Sequence, residues 1–346
     1  MLEFHIPMFS KLFRRPAPTP ILEAAAPVET FDLFAKPGSR FVIPDWSRVE
    51  ESLAERLAQE DPNALWAKVS LCWMDILKES LGDGFRTSSS DNFHLLSPGT
   101  AREQQVFLEF AEKSRKRILR LLDGIAKDEG YGKSCVMAFA DEEQYYEYVA
   151  NYYPDDGEFA LSGGMYINHG YGHFVCVSTD MHAIELVIAH ELTHMHLTHL
   201  PIPAWLNEGL AVNTEQILCP PRGSLYTSSE LKEKHARFWN AETIQEFWSS
   251  KSFMRADDGN LLSYDLAKHI VTLLSQDRAR FLAFANMATI KDSGQASASY
   301  YLGNELETAV TFILGEGDWR PDPGRWADEA ERGGFSIFTG LRCPLH

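Results

Sequence analysis

The residues best suited to chemistry in this 346-residue chain are two histidines, His190 and His194, with a glutamate, Glu191, beside the first. Histidines four positions apart on a helix project from the same face and can supply two ligands to a tetrahedral zinc ion. Glu191 can reach a water on that metal without being a ligand itself. A third ligand is needed, and Glu208 on the following segment is the candidate. The pattern predicts a zinc site formed by His190, His194 and Glu208.

A largely buried helix is predicted to carry the two histidines, because apolar residues surround them between about residues 180 and 199. Burying histidine and glutamate among such residues costs free energy unless they are paired or bind a metal. Pro201 and Pro203 end this helix, and Pro203 suits the first turn of a second helix, predicted over 204–216. A tight turn between the helices would bring Glu208 back towards the histidines.

The segment Trp205–Ala211, with the sequence WLNEGLA, follows the HExxH pattern closely. On these two motifs the chain resembles the gluzincins, thermolysin-like zinc metallopeptidases with HExxH on one helix and a glutamate on the next. It is similar in particular to bacterial peptidase MA-like proteins, and the resemblance covers roughly residues 92–316. The resemblance implies that the two histidines and Glu208 bind one zinc ion and that Glu191 is the general base.

The same resemblance implies hydrolysis of a peptide bond in a peptide or protein substrate. Three protein ligands leave one zinc position for water, whose pKa zinc lowers towards about 7. Glu191 would take its proton during attack on the carbonyl and then deliver it to the leaving amine. In the resembling families a downstream tyrosine or histidine stabilises the oxyanion. Tyr264 is the candidate here, with His235 and His269 as alternatives, although an apolar helix stripe equally explains Tyr264 as a core residue.

Two related zinc patterns are absent from the sequence. A metzincin would have a glycine and a further histidine at the positions of Leu197 and Leu200. A GxMEN-type aminopeptidase anchors the substrate amine with a glutamate in the strand before the zinc helix, but Met165 is followed by Tyr166. The sequence therefore gives no support to aminopeptidase specificity.

The hydrogen-bond partners of the zinc ligands are less well specified. Zinc-bound histidines usually donate their second N–H to a carboxylate or a carbonyl. Glu185, Asn213 and Glu215 are candidates, although each is also typical of a helix surface. Thermolysin-like enzymes carry an aspartate four positions after the glutamate ligand, and Val212 stands there. His196 points about 200° around the helix from the second ligand and is expected at the surface or in a second layer.

The substrate is expected to bind along a strand, because in this superfamily an extended peptide pairs with the edge strand before the zinc helix. A hairpin is predicted over residues 165–178, with its turn near 170–172. Its second arm, residues 174–178, leads directly into the zinc helix and is the predicted edge strand. His169 and His173 can contact substrate there, although exposed hairpin histidines are the commoner case.

Composition is that of an ordinary globular protein, with 45% hydrophobic and 12% aromatic residues. The formal net charge of −17 argues against a nucleic-acid or anionic-membrane binder. The five cysteines are scattered and form no CxxC pair, which favours reduced thiols and a cytoplasmic location. No apolar run approaches the roughly 18 residues needed to span a bilayer, and the first residues do not resemble a secretory signal.

The predicted fold class is α+β, with a small mixed sheet whose edge strand precedes the zinc helix and a helical subdomain after it. Residues 1–45 are predicted to be a partly disordered tether, 46–90 a helical extension, 91–318 the zinc peptidase domain and 319–346 a C-terminal tail. The sheet-containing half of the domain would extend to about residue 200. The N-terminal helices are a hypothetical lid, and the oligomeric state is not indicated.

Two other functions remain open at this point. A binding or scaffold protein can retain a structural zinc site, and a zinc hydrolase can act on a non-peptide amide or ester. Glu191 disfavours the first, because a structural site closed by four ligands needs no additional glutamate.

Overall fold

The computed structural model describes residues 29–35, 38–152, 164–178, 181–220, 223 and 226–326. Helices dominate this part of the chain, and short 3₁₀ and π turns connect some of them. In chain order the elements are α1 (Trp46–Leu57), α2 (Pro62–Leu81), β1 (Arg86–Ser89), β2 (Phe93–Ser97), α3 (Ala101–Leu121), β3 (Ser134–Phe139), α4 (Glu142–Val149), β4 (Gly164–Ile167), β5 (His173–Val177), α5 (Met181–Met195), α6 (Ala204–Leu218), α7 (Ser228–Phe238), α8 (Thr243–Trp248), α9 (Asp258–Leu274), α10 (Arg278–Met287), α11 (Gln295–Ser297) and α12 (Leu306–Leu314).

Local signals account for the ends of the early helices. The side chain of Asp61 accepts from the backbone N–H groups of Asn63 and Ala64 at the start of α2, and Pro62 occupies the first turn. Thr100 and Glu103 form a reciprocal capping box at the start of α3. These caps satisfy N–H groups that a helix start leaves without internal partners.

The sheet has the order β1-β2-β3-β5-β4. Strands β2, β3 and β5 are parallel, whereas β1 and β4 run antiparallel to their neighbours. The α+β class and the small mixed sheet are therefore confirmed. The sheet starts earlier than expected. Strand β1 lies within residues 46–90, the predicted helical extension, and pairs with β2, which lies after residue 90.

The prediction that residues 174–178 form the edge strand is wrong. The hairpin itself is confirmed, with Met165 opposite Val175. However, β5 also pairs in parallel with β3, where Val136 lies opposite Phe174, so both sides of β5 carry strand partners. Among the strands of the described residues, the one at this edge is β4, the first arm of the hairpin.

Alternate residues of the strands face two different layers of helices. One face, which includes Met137 and Val175, packs with α1, α2 and α4. The opposite face, which includes Val136 and Phe174, packs with α3 and α5. The N-terminal helices thus lie across the sheet from the helix that carries His190. This placement contradicts the hypothesis that they form a lid over the site.

The helices that follow α5 pack around a separate core, which contains Trp205 of α6. Its indole N–H donates to the carbonyl of Ser293, 3.1 Å away, and its ring lies against Trp248 and Phe284. Helix α6 also contacts α5 on one side and α9 on the other. It therefore links the sheet-containing half to the helical half. The chain after α12 still contacts this core, because Trp248 donates to the carbonyl of Trp319.

The cysteines and the helices can be compared with what the composition predicted. Cys72, Cys135, Cys176 and Cys219 are buried and unpaired, as predicted for structural thiols, whereas Cys343 lies outside the described residues. Within the described ranges, no helix combines the length and the apolar character needed to cross a membrane.

Candidate metal centre

Helix α5 places the two histidines side by side in the interior. His190 and His194 are 3% and 0% exposed, and their ring centroids are 4.7 Å apart. This arrangement follows from the four-residue spacing, which stacks side chains on one helix face. The surrounding apolar residues exclude water, so the imidazole nitrogens need partners inside the protein.

Helix α6 brings Glu208 to these nitrogens, as the sequence predicted. Pro203 is the N-cap rather than the first helical residue, and α6 begins at Ala204. The Oε2 atom of Glu208 lies 3.2 Å from Nε2 of His190 and 3.4 Å from Nε2 of His194. One ligand atom from each of the three residues lies within 4.8 Å of the others. The predicted ligand set therefore converges in space.

The three side chains fit a zinc ion on two grounds. Two imidazole nitrogens and one carboxylate oxygen are a ligand set that zinc accepts in catalytic sites. In addition, Nε2 of His194 is buried and makes no hydrogen bond within the described residues, although Glu208 lies close by. A buried nitrogen lone pair without a donor is costly, and a metal ion would satisfy it.

The carboxylates near the two imidazoles favour the protonated forms of these histidines. Burial opposes protonation of both histidines, but the nearby carboxylates outweigh it and raise the pKa of His190 and of His194. Burial also opposes ionisation of Glu208, yet the two imidazoles lower the pKa of this carboxyl to about 2. Cation and proton therefore compete for the same nitrogen atoms, and acid should weaken metal binding.

Glu191 lies beside this cluster but is held away from the ligand positions. It is 2% exposed, and its Oε2 accepts a hydrogen bond of 2.9 Å from the backbone N–H of Tyr166 in β4. Burial raises the pKa of Glu191 to about 7, against the opposing effect of His194 and His190. A carboxylate beside the metal ligands but outside the ligand set can act as a general base.

Each ligand histidine is oriented by a second side chain. Nδ1 of His190 lies 2.9 Å from Oε2 of Glu215, and Nδ1 of His194 lies 3.0 Å from Oδ1 of Asn207. Since carboxylate and amide oxygens only accept, each Nδ1 carries the proton and each Nε2 is left free to bind a metal. Glu215 lies seven residues after Glu208 and so shares its face of α6.

Glu215 was one of three candidates for this role, and the structure separates them. Asn213 donates to the carbonyls of Gly209 and Lys268 and so joins α6 to α9 rather than contacting a histidine. The Nδ1 partners of the two ligand histidines are Glu215 and Asn207 rather than Glu185. Asn207 was not proposed from the sequence, although it stands next to the ligand Glu208 in the WLNEGLA segment.

We expect Glu215→Gln to weaken zinc affinity by about 10- to 100-fold. Glutamine keeps the shape of the side chain, but His190 loses its charged partner. Competition with a chromophoric chelator would measure the affinity, and thermal melting would show that the variant folds. Glu233→Gln, an exposed position on α7, is the matched control and should bind zinc like the wild type. An unchanged affinity in Glu215→Gln would remove Glu215 from the centre.

Tyr264 lies close to the centre but also in the core. It is fully buried, with its ring 6.4 Å from that of His190 and 5.3 Å from that of Phe253. Its helix, α9, approaches closely because Gly209 has no side chain: a Cβ there would lie 2.6 Å from the carbonyl oxygen of Ala267. A role for Tyr264 at the oxyanion remains a prediction.

The alternative histidines are engaged elsewhere. Nε2 of His235 donates to Asp265 at 2.8 Å, and its Nδ1 accepts from the indole of Trp239 at the same distance. His269 lies 3.5 Å from the same carboxylate, with its side chain about half exposed. Both ring nitrogens of His235 therefore have partners, which makes it a poor oxyanion donor.

Two further histidines differ from expectation in their burial. His173 is fully buried rather than exposed on a hairpin: it contacts the hydroxyl of Tyr148 at 2.8 Å and packs edge-on against Trp73. Burial lowers the pKa of His173 to about 4, so it is a neutral core residue. His196 is 1% exposed, which excludes the surface position, and its Nδ1 lies 2.9 Å from the carbonyl oxygen of Lys127.

No protein-family model matches this chain, and neither a curated protein nor a solved structure shows a significant match to it. The chemistry of the centre must therefore be inferred from its own geometry.

Proposed function

We propose that this protein is a zinc-dependent peptidase of the gluzincin type. The observation that supports the proposal most is the convergence of His190, His194 and Glu208 on one buried point, with Glu191 beside them and outside the ligand set. The two histidines and Glu208 would hold the ion. Three protein ligands are the number found in catalytic zinc sites, whereas structural sites usually have four.

A bound zinc ion would supply Lewis-acid polarisation of a carbonyl and would make water acidic enough to ionise near neutral pH. The protein's own residues account for the remaining steps. Glu191 would accept a proton from the attacking water and return it to the leaving nitrogen. Glu215 and Asn207 fix the rings of the two histidines so that their Nε2 atoms stay directed at the ion.

The substrate main chain would lie along β4 rather than along β5. Within the described residues β4 has a strand partner on one side only. The backbone N–H of Tyr166 donates to Glu191, so the strand and the general base are in direct contact. An extended peptide added beside β4 would pass Glu191, whereas β5 has no free side to receive it.

We propose further that the enzyme acts in the cytoplasm on peptides or unfolded proteins. Four buried thiols without a disulfide are typical of a reducing compartment. The two alternatives, a non-catalytic zinc protein and a hydrolase of non-peptide amides or esters, predict zinc binding without cleavage of peptides.

Metal removal tests the proposal. We expect the wild-type protein to contain about one tightly bound zinc ion and to cleave denatured casein or members of a random peptide library. Dialysis against a chelator should lower cleavage by at least about a hundredfold, and zinc should restore it, because the ion activates both water and carbonyl. Cleavage that survives complete zinc removal would contradict the proposal. Bound zinc with no cleavage of any library would favour the two alternatives.

A further inference from the structure

Helix α3 carries a row of basic side chains on one exposed face. The row, named the basic stripe, follows the three- and four-residue spacing of a helix and consists of Lys113, Lys116, Arg117 and Arg120. It lies on the face opposite the buried residues Ala111 and Ile118. Among the described residues, no carboxylate forms an ion pair with the stripe, whereas Arg115, on another face, pairs with Asp128. The positive charge of the stripe is therefore not neutralised locally.

The glutamates one turn before the stripe do not compensate its charge. Glu109 and Glu112 stand four residues before the two lysines, a spacing that allows ion pairs on a helix. Glu109 instead accepts from the side chain of Gln105. Glu112 accepts from the backbone and the side chain of Asn92. In a chain with a net charge of −17, an exposed face that keeps only positive charge is suited to an acidic partner.

An apolar groove adjoins the end of the stripe. Arg120 is followed by Leu121 and Leu122, which line a groove of about 340 Å³. Its other apolar walls include Leu210 and Ile217 of α6 and Phe281 of α10. Ile217 is 53% exposed, so the apolar surface of the groove reaches solvent. Exposed apolar surface that is rimmed by polar residues is typical of a site that binds another molecule.

Two arginines beside the groove retain their positive charge. Arg117 of the stripe donates to the carbonyl of Ile217, 3.0 Å away, near the end of α6. Arg278 donates to the carbonyl of Asp123, also 3.0 Å away, just after α3. Carbonyl oxygens orient the guanidinium groups without cancelling their charge. Asp123 is the one acidic residue among the described residues that line the groove, so positive charge exceeds negative charge around it.

The groove lies on the side of α6 that faces away from the metal centre. Glu208 and Glu215 share the face of α6 that is directed at His190. Leu210 and Ile217 each stand two residues after one of these glutamates, which turns their side chains about 200° around the helix. The stripe and the groove therefore contain no residue of the metal centre, and a molecule bound to them does not occupy the ligand positions.

We propose that the basic stripe and the apolar groove together form a docking surface for a protein partner, which binds through an acidic segment that also carries apolar side chains. The carboxylates of the segment lie along the stripe, and its apolar side chains enter the groove. A nucleic acid offers no aliphatic side chains to the groove, and the net charge of −17 opposes its approach. The surface is a further function of the chain, independent of the proposed hydrolysis of peptides.

Binding of defined peptides tests the docking surface. The probes are three fluorescent peptides of equal length: one of glutamate and leucine, one with lysine in place of glutamate, and one with serine in place of leucine. Fluorescence anisotropy would be measured with Glu191→Gln protein in the presence of zinc, so that the probes are not cleaved. We expect the glutamate–leucine peptide to bind at least about tenfold more tightly than either other probe, and added salt to weaken its binding.

Single substitutions test the stripe and the groove separately. Lys116→Glu reverses one charge of the stripe and should weaken binding of the acidic peptide by about 3- to 10-fold. Lys232→Glu, the same change at an exposed position of α7, is its matched control and should bind normally. Ile217→Ser removes an apolar wall and should weaken binding by about tenfold. Its matched control is Ile290→Ser, at an isoleucine that is 56% exposed, and thermal melting would show that each variant folds.

The outcomes are distinct from those that test the peptidase. Unchanged affinity in Lys116→Glu or in Ile217→Ser would overturn the docking surface, as would failure to bind any of the peptides. Tighter binding of single-stranded DNA than of the acidic peptide would overturn the choice of a protein partner. Removal of zinc should leave peptide binding unchanged, and loss of binding would instead place the peptide at the metal centre. A chain that binds the acidic peptide but no zinc would contradict the proposed function alone.

Discussion

Replacing Glu191 by glutamine is expected to lower peptide cleavage by about 10²- to 10⁴-fold, the usual contribution of general acid–base catalysis. Glutamine keeps the shape of the side chain and can still accept the 2.9 Å hydrogen bond from Tyr166. It cannot take up a proton at neutral pH. Because Glu191 is outside the ligand set, the variant should keep the zinc content and the melting temperature of the wild type.

Zinc content and turnover must therefore be measured on the same Glu191→Gln sample. Glu233→Gln is again the matched control, since it makes the same chemical change at an exposed position paired with Arg237 on its own helix. Full turnover in Glu191→Gln would exclude Glu191 as the base. Loss of zinc together with turnover would instead mean that Glu191 holds the centre together.

The parts of the centre that the sequence predicted depend on short-range geometry. The spacing of His190 and His194 sets their common helix face, and Pro201 and Pro203 force the turn that returns Glu208. The partner of His190 lies further along α6. Glu215 is two turns beyond Glu208, and not one turn beyond it at the position of Val212.

Strand order could not be derived from the same local signals. The hairpin pattern specified that β4 and β5 pair, but not which of the two would meet β3. That choice depends on contacts between Val136 and Phe174, which are far apart in sequence. The burial of His173 has the same origin, because α2 covers it from a distance of about 100 residues along the chain.

The packing of Trp73 shows how closely the N-terminal helices are joined to the sheet. It is fully buried in α2, packs at 5.0 Å on Trp46 and at 4.9 Å on His173 of β5, and donates its indole N–H to the carbonyl of Val42. It thus joins the N-terminal segment to the strand beside β4. A separate lid would have no such contact with the sheet.

Trp73→Ala is expected to lower the free energy of unfolding by about 3–5 kcal/mol, the usual cost of a large cavity in a core. That is a large share of the about 5–15 kcal/mol that stabilises a typical domain. Urea denaturation with zinc present would measure the loss. Trp66→Ala, on the same helix but only partly buried, is the matched control and should cost less.

The Trp73→Ala substitution is expected to affect the metal centre as well as the stability of the fold. The sheet has α2 on one face and α5 on the other, so removing the packing on one face should loosen the strands that support α5. We therefore expect Trp73→Ala to release zinc at lower urea concentration than the wild type, in the same transition as unfolding.

A chain starting at residue 86 should fail to fold for the same reason. If that shortened chain folds and binds zinc normally, the N-terminal helices are an accessory layer and are not needed to form the metal centre.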